Sequence, residues 1–389
     1  MFNISFGSKQ GKIIAVVDVG SGSVGCAILE SHADTTATIL AATRSILPLE
    51  DRTRVQTIAG IIRMLSEAGT EALRAYTESD EGKRRGRPCE VYVIIRTPWT
   101  RASAGHATRQ FPEETSITKK LITELAYEAF DTNKELDRAN VLETAVIRVG
   151  LNEYPTASPI GKRAHRLDLV TFESDCDPVI HKGVISTLGS LFPGRIPVLR
   201  SGARAYLTIV QEKMDHPETY VIVDMVSEAT TIMAVQDGII THHAVIEEGV
   251  RTILRRISGE KGIPEETASL LRMVVAGSCS GEACDRLNEA LARVEPELAH
   301  IFGEAVAHIL GKRRLPDTLV LFTHPDLMAW LTHFFSRIDF AQFTIPMHPF
   351  SVQLLSSEDL KSKSGIRVAH NVSVDTGMLM VSSFVNTQL

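Results

Sequence analysis

Two segments of the chain, around Asp18 and Asp224, follow one pattern. In each, an apolar run typical of a buried β-strand ends in an aspartate, a short turn of small or polar residues follows, and a second apolar run returns. The turns lie at 20–23 and 225–229. Further strands and helices follow both segments in similar order, so the chain carries a weak internal duplication that its fold has to accommodate.

The aspartate and the turn suit phosphate and metal chemistry. Backbone N–H groups in a tight Gly/Ser turn can face phosphate oxygens, and glycine permits close approach. A carboxylate at the strand end can hold Mg²⁺, often through water. One such turn is weak support for a site, because aspartate is common in turns. Two of them, in matching positions of a duplicated unit, indicate a nucleotide site more strongly.

Apolar periodicity predicts the remaining elements in an α/β order. Helices are predicted at 52–75, 118–130, 178–191, 202–213, 264–275, 281–310 and from 325, and strands at 37–42, 90–95, 141–151, 164–172, 196–199, 239–246 and 318–322. Near the end, Asp375 is a candidate cap ahead of an apolar run, so a final packed helix is expected within 374–389.

The motifs and their order resemble those of the actin-like ATPase superfamily, in particular the bacterial proteins FtsA and PilM. VVDVGSGSVGCAILE (16–30) resembles the first phosphate motif of that superfamily, and VIVDMVSEATTIMAVQDGII (221–240) resembles the second. The segments similar to the connecting, post-motif and adenosine regions are RIPVLRSGARAYLTIV (195–210), HHAVIEEGVRTILRRI (242–257) and LVLFTHPDLMAWL (319–331). The resemblance covers nearly the whole chain.

This resemblance implies an α/β, actin-like fold, in which a ribonuclease H-like unit is duplicated into two lobes around a cleft and a small α+β domain is inserted. The first lobe would comprise 1–88, 193–216 and about 341–389, and the second 217–340. Residues 89–192 fall where FtsA and PilM carry an inserted strand–helix–strand–strand (SHS2) domain. We expect that domain to pack separately, with few contacts to the second lobe, and Asp18 to face Asp224 across the cleft.

The resemblance also implies a site for ATP and Mg. Asp18 and Asp224 would hold Mg²⁺ through water. The nucleotide-binding residues that the motifs imply are Gly20, Ser21, Gly22, Ser23, Ser227, Thr230, Thr231, Gly249 and Thr323. No catalytic residue is assigned.

The chain departs from the family pattern at positions where glycine is usual. Val226 and Glu228 stand in the second turn, and Thr323 and His324 stand where the adenosine motif has paired glycines. A Cβ at such a position can overlap phosphate or purine. These departures predict weak Mg-ATP binding with turnover near background.

Three functions are compatible with the resemblance. The leading one is an actin-like cytoplasmic assembly scaffold, resembling FtsA in cell division or PilM in the type IV pilus platform, whose partners are proteins of such a machine; self-association into a filament is left open. The second is a small-molecule kinase of the same superfamily, which would need a catalytic carboxylate in the cleft. The third is a scaffold that binds no nucleotide.

Composition narrows the partners and the location. The formal net charge of -6 gives no reason to expect nucleic acid. No apolar run approaches the ~20 residues of a membrane span, and the final residues 373–389 lack the basic residues of the membrane helix that usually ends FtsA. We therefore expect no direct membrane anchor and a cytoplasmic location, with recruitment to the inner face of the membrane by a partner.

Cysteines and histidines offer no further site. The five cysteines are odd in number and lack paired-motif spacing, so reduced thiols are expected, and a metal at Cys279 and Cys284 is disfavoured without a second ligand pair. His242 and His243 are adjacent in a predicted strand, so their rings point to opposite faces and cannot share a metal.

Overall fold

The computed structural model describes residues 11–32, 36–50, 52–134, 136–214, 219–259, 262–310 and 314–389. The chain forms two compact units. The first comprises Met1–Arg96, Val179–His216 and Leu355–Leu389, and the second comprises Thr97–Pro178 and Pro217–Leu354.

Strands and helices are interspersed along the chain. The strands are β1 (Lys12–Val19), β2 (Ser23–Ser31), β3 (Ala37–Ile46), β4 (Glu90–Ile95), β5 (Thr100–Ser116), β6 (Val141–Leu151), β7 (Tyr154–Pro155), β8 (Arg163–Cys176), β9 (Val198–Ser201), β10 (Thr219–Met225), β11 (Thr230–Gln236), β12 (Ile239–Ile246), β13 (Thr318–Phe322), β14 (Ser351–Gln353) and β15 (Ile366–Val368). The helices are α1 (Arg54–Glu78), α2 (Asp80–Arg85), α3 (Lys119–Thr132), α4 (Pro178–Leu191), α5 (Gly202–Lys213), α6 (Val250–Ser258), α7 (Pro264–Val275), α8 (Glu282–Leu310), α9 (Pro325–Phe335), α10 (Ser357–Ser364) and α11 (Thr376–Asn386).

In the first unit, six of the described strands form one sheet in the order β15-β3-β2-β1-β4-β9. β1, β2 and β3 are antiparallel neighbours, whereas β4 runs parallel to β1 and β9 parallel to β4. β1 is buried from Ile13 to its end, as expected of a central apolar strand. Helices α1 and α4 approach closely because glycines face large side chains: Gly69 lies against Leu191, and Gly183 lies against Ile62.

The second unit repeats this arrangement. Its five-stranded sheet of described strands has the order β12-β11-β10-β13-β14. Three antiparallel strands again come first, and β13 runs parallel to β10 as β4 does to β1. Asp18 and Asp224 are each the last residue but one of the central strand. The predicted duplication is confirmed by this matching strand order.

A second sheet in this unit is antiparallel and has the order β5-β8-β6-β7. Helix α3 covers one face over a small core of its own, made of Ile117, Leu125, Ala164, Leu167 and Leu169. The two ends of this segment lie side by side, because Thr100 pairs with Cys176 and Asp177 N donates to Trp99 O at 2.7 Å.

The sheets divide the chain differently from the predicted insertion at 89–192. β4 pairs in parallel with β1, since its apolar run is typical of a central strand, and α4 packs in the first unit. Residues 97–178 belong to the same compact unit as 217–354, where Arg148 Nη1 lies 3.9 Å from Asp237 Oδ2. This differs from the expectation of few contacts with the second lobe. The three-domain division itself stays a prediction.

The expectation of reduced thiols needs one correction. Cys279 and Cys284 form a disulfide, with their Cα atoms 5.7 Å apart. Gly281 lies between them with φ +84°, a left-handed conformation that suits glycine, and Cys284 N donates to Gly281 O at 2.9 Å. This tight turn brings together two cysteines that the sequence spacing did not suggest as a pair.

Candidate functional site

The first turn joins β1 to β2 and carries the predicted residues Gly20, Ser21, Gly22 and Ser23 beside Asp18. Gly20 N donates to Ser23 O at 3.0 Å, which closes the turn. The side chains of Asp18 and Ser21 are fully buried. The hairpin thus brings the predicted residues together, and it leaves Asp18 as a buried carboxylate that needs a compensating charge.

That charge comes from Arg44, which the motif did not indicate. Arg44 Nη2 donates to Asp18 Oδ2 at 2.8 Å. Its Nε donates to Asp375 Oδ2 at 2.9 Å, and its Nη1 donates to Ser23 Oγ at 2.9 Å. A second guanidinium nitrogen, Arg96 Nη1, lies 3.8 Å from Asp18 Oδ2. Two cationic side chains therefore surround one carboxylate at the place where the motif implies Mg²⁺.

Two glycines make room for the Arg44 guanidinium. A Cβ on Gly25 would come within 2.9 Å of Arg44 Nη2 and would also overlap Met378 Sδ. A Cβ on Gly377, at the start of α11, would lie 3.1 Å from the same nitrogen. The predicted cap is confirmed, because Asp375 Oδ1 accepts from Met378 N at 2.9 Å. Its other oxygen is thereby directed to Arg44.

These residues do not fit a Mg²⁺ ion. Mg²⁺ requires near-octahedral oxygen ligands and keeps several waters. Oδ2 of Asp18 is already bonded to Arg44, and the positive charges of Arg44 and Arg96 oppose a divalent cation at this distance. Oδ1 of Asp18 is buried and accepts no hydrogen bond from the described residues. Asp18 could therefore offer a metal ion only this one carboxylate oxygen. The geometry argues against Asp18 as a metal ligand.

The second turn, between β10 and β11, is closed by helix α6. Val250 N donates to Val226 O at 2.9 Å, and Arg251 N donates to Ser227 O at 3.0 Å. Gly249 permits this approach, because a Cβ there would lie 2.5 Å from Val226 O. The amide groups at the start of α6 are therefore bonded within the protein instead of being available to a phosphate.

Val226 and Glu228, which stand in this turn where the family usually has glycine, also make contacts within the protein. Glu228 pairs with Arg251 through two oxygens, with Nε–Oε1 at 3.0 Å and Nη2–Oε2 at 2.7 Å. Such a two-pronged pair fixes both side chains. Val226 is buried, so its isopropyl group packs in the interior. Both residues therefore have structural roles in closing the turn.

Asp224 and the threonines after it are buried. Thr230 Oγ1 donates to Glu248 O at 2.6 Å, and the Thr231 and Thr97 hydroxyls are hydrogen-bonded to each other. The hydroxyls predicted to face a nucleotide are thus used internally. That Asp18 faces Asp224 stays a prediction.

The predicted adenosine segment follows β13. His324 is the N-cap of α9, and its Nδ1 accepts from Asp326 N at 3.3 Å. Arg272 Nη1 lies 3.3 Å from Asp326 Oδ1. Thr323 Oγ1 is buried and has no hydrogen-bond partner among the described residues. His324 therefore begins a helix here, which is a structural role.

Comparison with known proteins gives the fold. No protein-family model matches the chain, and no curated protein matches it. A solved structure of the PilM–PilN type IV pilus biogenesis complex superposes with a TM-score of 0.56 at 12% identity, covering 96% of this chain and 98% of that one. The chain has an actin-like fold. The duplicated sheets of this actin-like chain agree with that assignment.

Two other structures are similar over most of the actin-like chain at lower TM-scores. The ethanolamine utilization protein EutJ from Carboxydothermus hydrogenoformans gives 0.41 at 12% identity, covering 92% of this chain and 90% of that one. A Bacteroides thetaiotaomicron protein described as having an actin-like ATPase fold gives 0.35 at 9% identity, covering 93% and 97%.

Sequence reasoning missed Arg44 in this actin-like chain. The available signal was Gly25, a glycine inside an otherwise apolar strand, which often marks the close approach of another group. To use that signal, one needs the register between β2 and β3, which the sequence does not give.

The adjacent residues His242 and His243 lie in β12. Within the described part of the chain, no group of three or more histidine, cysteine or acidic side chains could hold a metal ion. His242 pairs in register with Ala234, and His243 with Met233. Burial lowers the pKa of His243 to about 4. The imidazole is therefore neutral at neutral pH.

We expect His243 to make the stability of the protein pH-dependent. Its pKa is lower when folded than the ~6.5 of an unfolded chain, so the unfolded state takes up the proton first. The contribution of neutral His243 to the free energy of unfolding is fully present above the ~6.5 pKa of the unfolded chain. It decreases by roughly 1–3 kcal/mol as the pH falls towards the folded pKa of about 4. His243→Gln should flatten this dependence in urea unfolding curves, whereas the control His242→Gln should not. An equal slope in wild type and His243→Gln would contradict this.

Among the described residues, no helix is both long and apolar enough to cross a membrane.

Proposed function

We propose that the chain is an actin-like assembly scaffold that binds a protein partner in a pilus-type machine. The observation that carries this proposal is the superposition on the PilM–PilN complex along nearly the full length of both chains. A location in the cytoplasm, at the inner face of the membrane through the partner, belongs to the same proposal.

In this proposal, ATP binding contributes little to the function of the scaffold. Arg44 is bonded to Asp18 at the first turn, and α6 closes the second turn with its own amide groups. Phosphate binding at either turn would have to displace these contacts. We therefore propose that ATP binds no tighter than about 1 mM, which corresponds to roughly -4 kcal/mol, and that turnover stays near background.

We place partner binding at the outer edge of β6. One side of β6 pairs with β8 along its length, whereas on the other side β7 covers only Gly150 and Leu151. Beside this edge lies an open cavity of about 420 Å³, lined by Val146, Ile147, Arg148, Val149, Pro155, Thr156, Ala157 and Pro159. Val146 is 41% exposed. No other strand pairs with this edge among the described residues.

The chemistry of this edge selects its occupant. An unpaired strand edge offers N–H and C=O groups in a row, which only another extended backbone can satisfy along its length. The cavity is lined mainly by valine, isoleucine and proline, so it accepts apolar side chains. The proposed occupant is an extended, mainly apolar segment of the partner protein.

The test uses a photo-reactive amino acid at Val146 in the native cell, followed by mass spectrometry of the cross-linked peptides. The expected product is one cross-link site in an extended segment of a membrane-assembly protein. Val146→Arg should reduce capture of that protein at least about tenfold, because a buried charge would replace an apolar contact.

The control is Val55 of α1, which is 76% exposed and lies in the other unit. A cross-linker at Val55, and Val55→Arg, should leave capture unchanged. Cross-links from Val146 to a second copy of the chain, or full capture by a folded Val146→Arg variant, would contradict the proposed surface.

A further inference from the structure

Asp18 and Arg44 reach each other across an intervening strand. In the register of the first sheet, Asp18 of β1 pairs with Gly25 of β2, and Gly25 pairs with Arg44 of β3. Directly paired residues in antiparallel strands present their side chains on the same face. Because the middle residue of this row is glycine, the long Arg44 side chain can cross β2 and bond to Asp18.

The equivalent row of the second sheet has no such cation. Asp224 pairs with Thr231, and Thr231 pairs with Val245. The position of Arg44 is therefore taken by valine, and the position of Gly25 by a threonine. Of these two matched rows, only the row in the first unit contains a bridging guanidinium group.

All three nitrogens of the Arg44 guanidinium group are hydrogen-bonded within the protein. Its three nitrogens each donate to a different acceptor, on Asp18, Asp375 and Ser23. The side chain of Arg44 is only 16% exposed. Although burial alone would lower the pKa of Arg44, the carboxylates of Asp18 and Asp375 raise it, so its positive charge is permanent.

We propose that Arg44 is a resident cation that takes the place of a divalent metal at the first phosphate-type turn. Arg44 contacts both carboxylates, and Arg96 also lies close to Asp18, so Asp18 has cationic partners without any bound ion. A divalent cation at Asp18 would leave an excess of positive charge in a largely buried place. This inference goes beyond the scaffold proposal and does not depend on the partner surface at Val146.

The test measures binding of Mn²⁺, alone and with no nucleotide, by electron paramagnetic resonance on the full chain. Wild type should bind no Mn²⁺ at Asp18, so Mn²⁺ binding should be the same in wild type and in Asp18→Asn. Arg44→Met keeps most of the side-chain volume but leaves two acids without their main partner. It should gain a Mn²⁺ site that half-saturates below about 1 mM, in the range of weak carboxylate sites, and Asp18→Asn in that background should abolish it.

Three further variants complete the test. Arg44→Lys retains the charge and should gain no Mn²⁺ site, and Val245→Met, at the matched position of the second unit, should change nothing. Arg44→Gln serves as the neutral variant if Arg44→Met does not fold. A wild-type Mn²⁺ site that depends on Asp18 would overturn the inference, and so would a folded neutral variant that gains no site. Partner cross-linking at Val146 reports on the scaffold proposal separately.

Discussion

Gly249→Ala should destabilise the second unit by about 3 kcal/mol or more. The added Cβ would meet backbone atoms of the second turn, at 2.5 Å from Val226 O and from Ala229 N, and would overlap Ser227 O. Backbone atoms of a closed turn cannot rotate away as a side chain can, so α6 or the turn has to move. The cause is steric, because Gly249 has φ -136°, which alanine adopts freely.

The matched control for this effect is Gly189→Ala in α4. A Cβ on Gly189 meets nothing within 4 Å, and alanine favours helix over glycine by roughly 0.5–1 kcal/mol. Urea unfolding of both variants should therefore give shifts of opposite sign. A Gly249→Ala protein as stable as wild type would show that α6 does not close the second turn as described.

Asp18→Ala should destabilise the first unit by about 2–4 kcal/mol. The substitution removes the buried carboxylate that Arg44 and Arg96 surround, and breaking a buried pair from one side leaves an uncompensated charge. Arg44 keeps Asp375 and Ser23 as partners, which limits the loss. Urea unfolding at neutral pH measures the effect.

The sign of this effect distinguishes two roles for Asp18. A carboxylate kept ready for a metal is a strained, uncompensated charge, so replacing it commonly stabilises a protein. A carboxylate paired to Arg44 gives the opposite sign. In the double variant Asp18→Ala/Arg44→Met, the loss should be at least about 1 kcal/mol smaller than the sum of the single losses. Additive losses would mean that Asp18 and Arg44 are not coupled.

Much of the fold was predictable because it rests on local patterns. The bounds of α4, α5, β6 and β12 are those that apolar periodicity predicts. Asp375 caps α11 as the sequence indicates. The actin-like fold was implied by the resemblance of the motifs and their order to those of the actin-like superfamily. The repeated strand–aspartate–turn pattern by itself indicated only an internal duplication.

Contacts between elements were not predictable in this way. Strand β5 is largely polar, because much of its length is solvent-exposed, so it has no apolar signal. The role of Arg44 depends on register across three strands, and the role of Gly249 depends on where α6 meets the turn. A motif identifies residues that could bind phosphate. The residues that form hydrogen bonds with them in the folded chain, such as Arg44 with Asp18, come from other parts of the sequence.

The side-by-side ends of the segment 97–178 have a consequence for how proteins of this kind diverge. Because Thr100 and Cys176 are paired neighbours, the segment leaves and rejoins the rest of the chain at nearly one point. A stretch anchored in this way can be replaced by a different one with little disturbance of the rest of the fold, because one pair of strands forms both junctions. Lineages could then acquire a new docking specificity by replacing this one segment while the duplicated sheets remain unchanged.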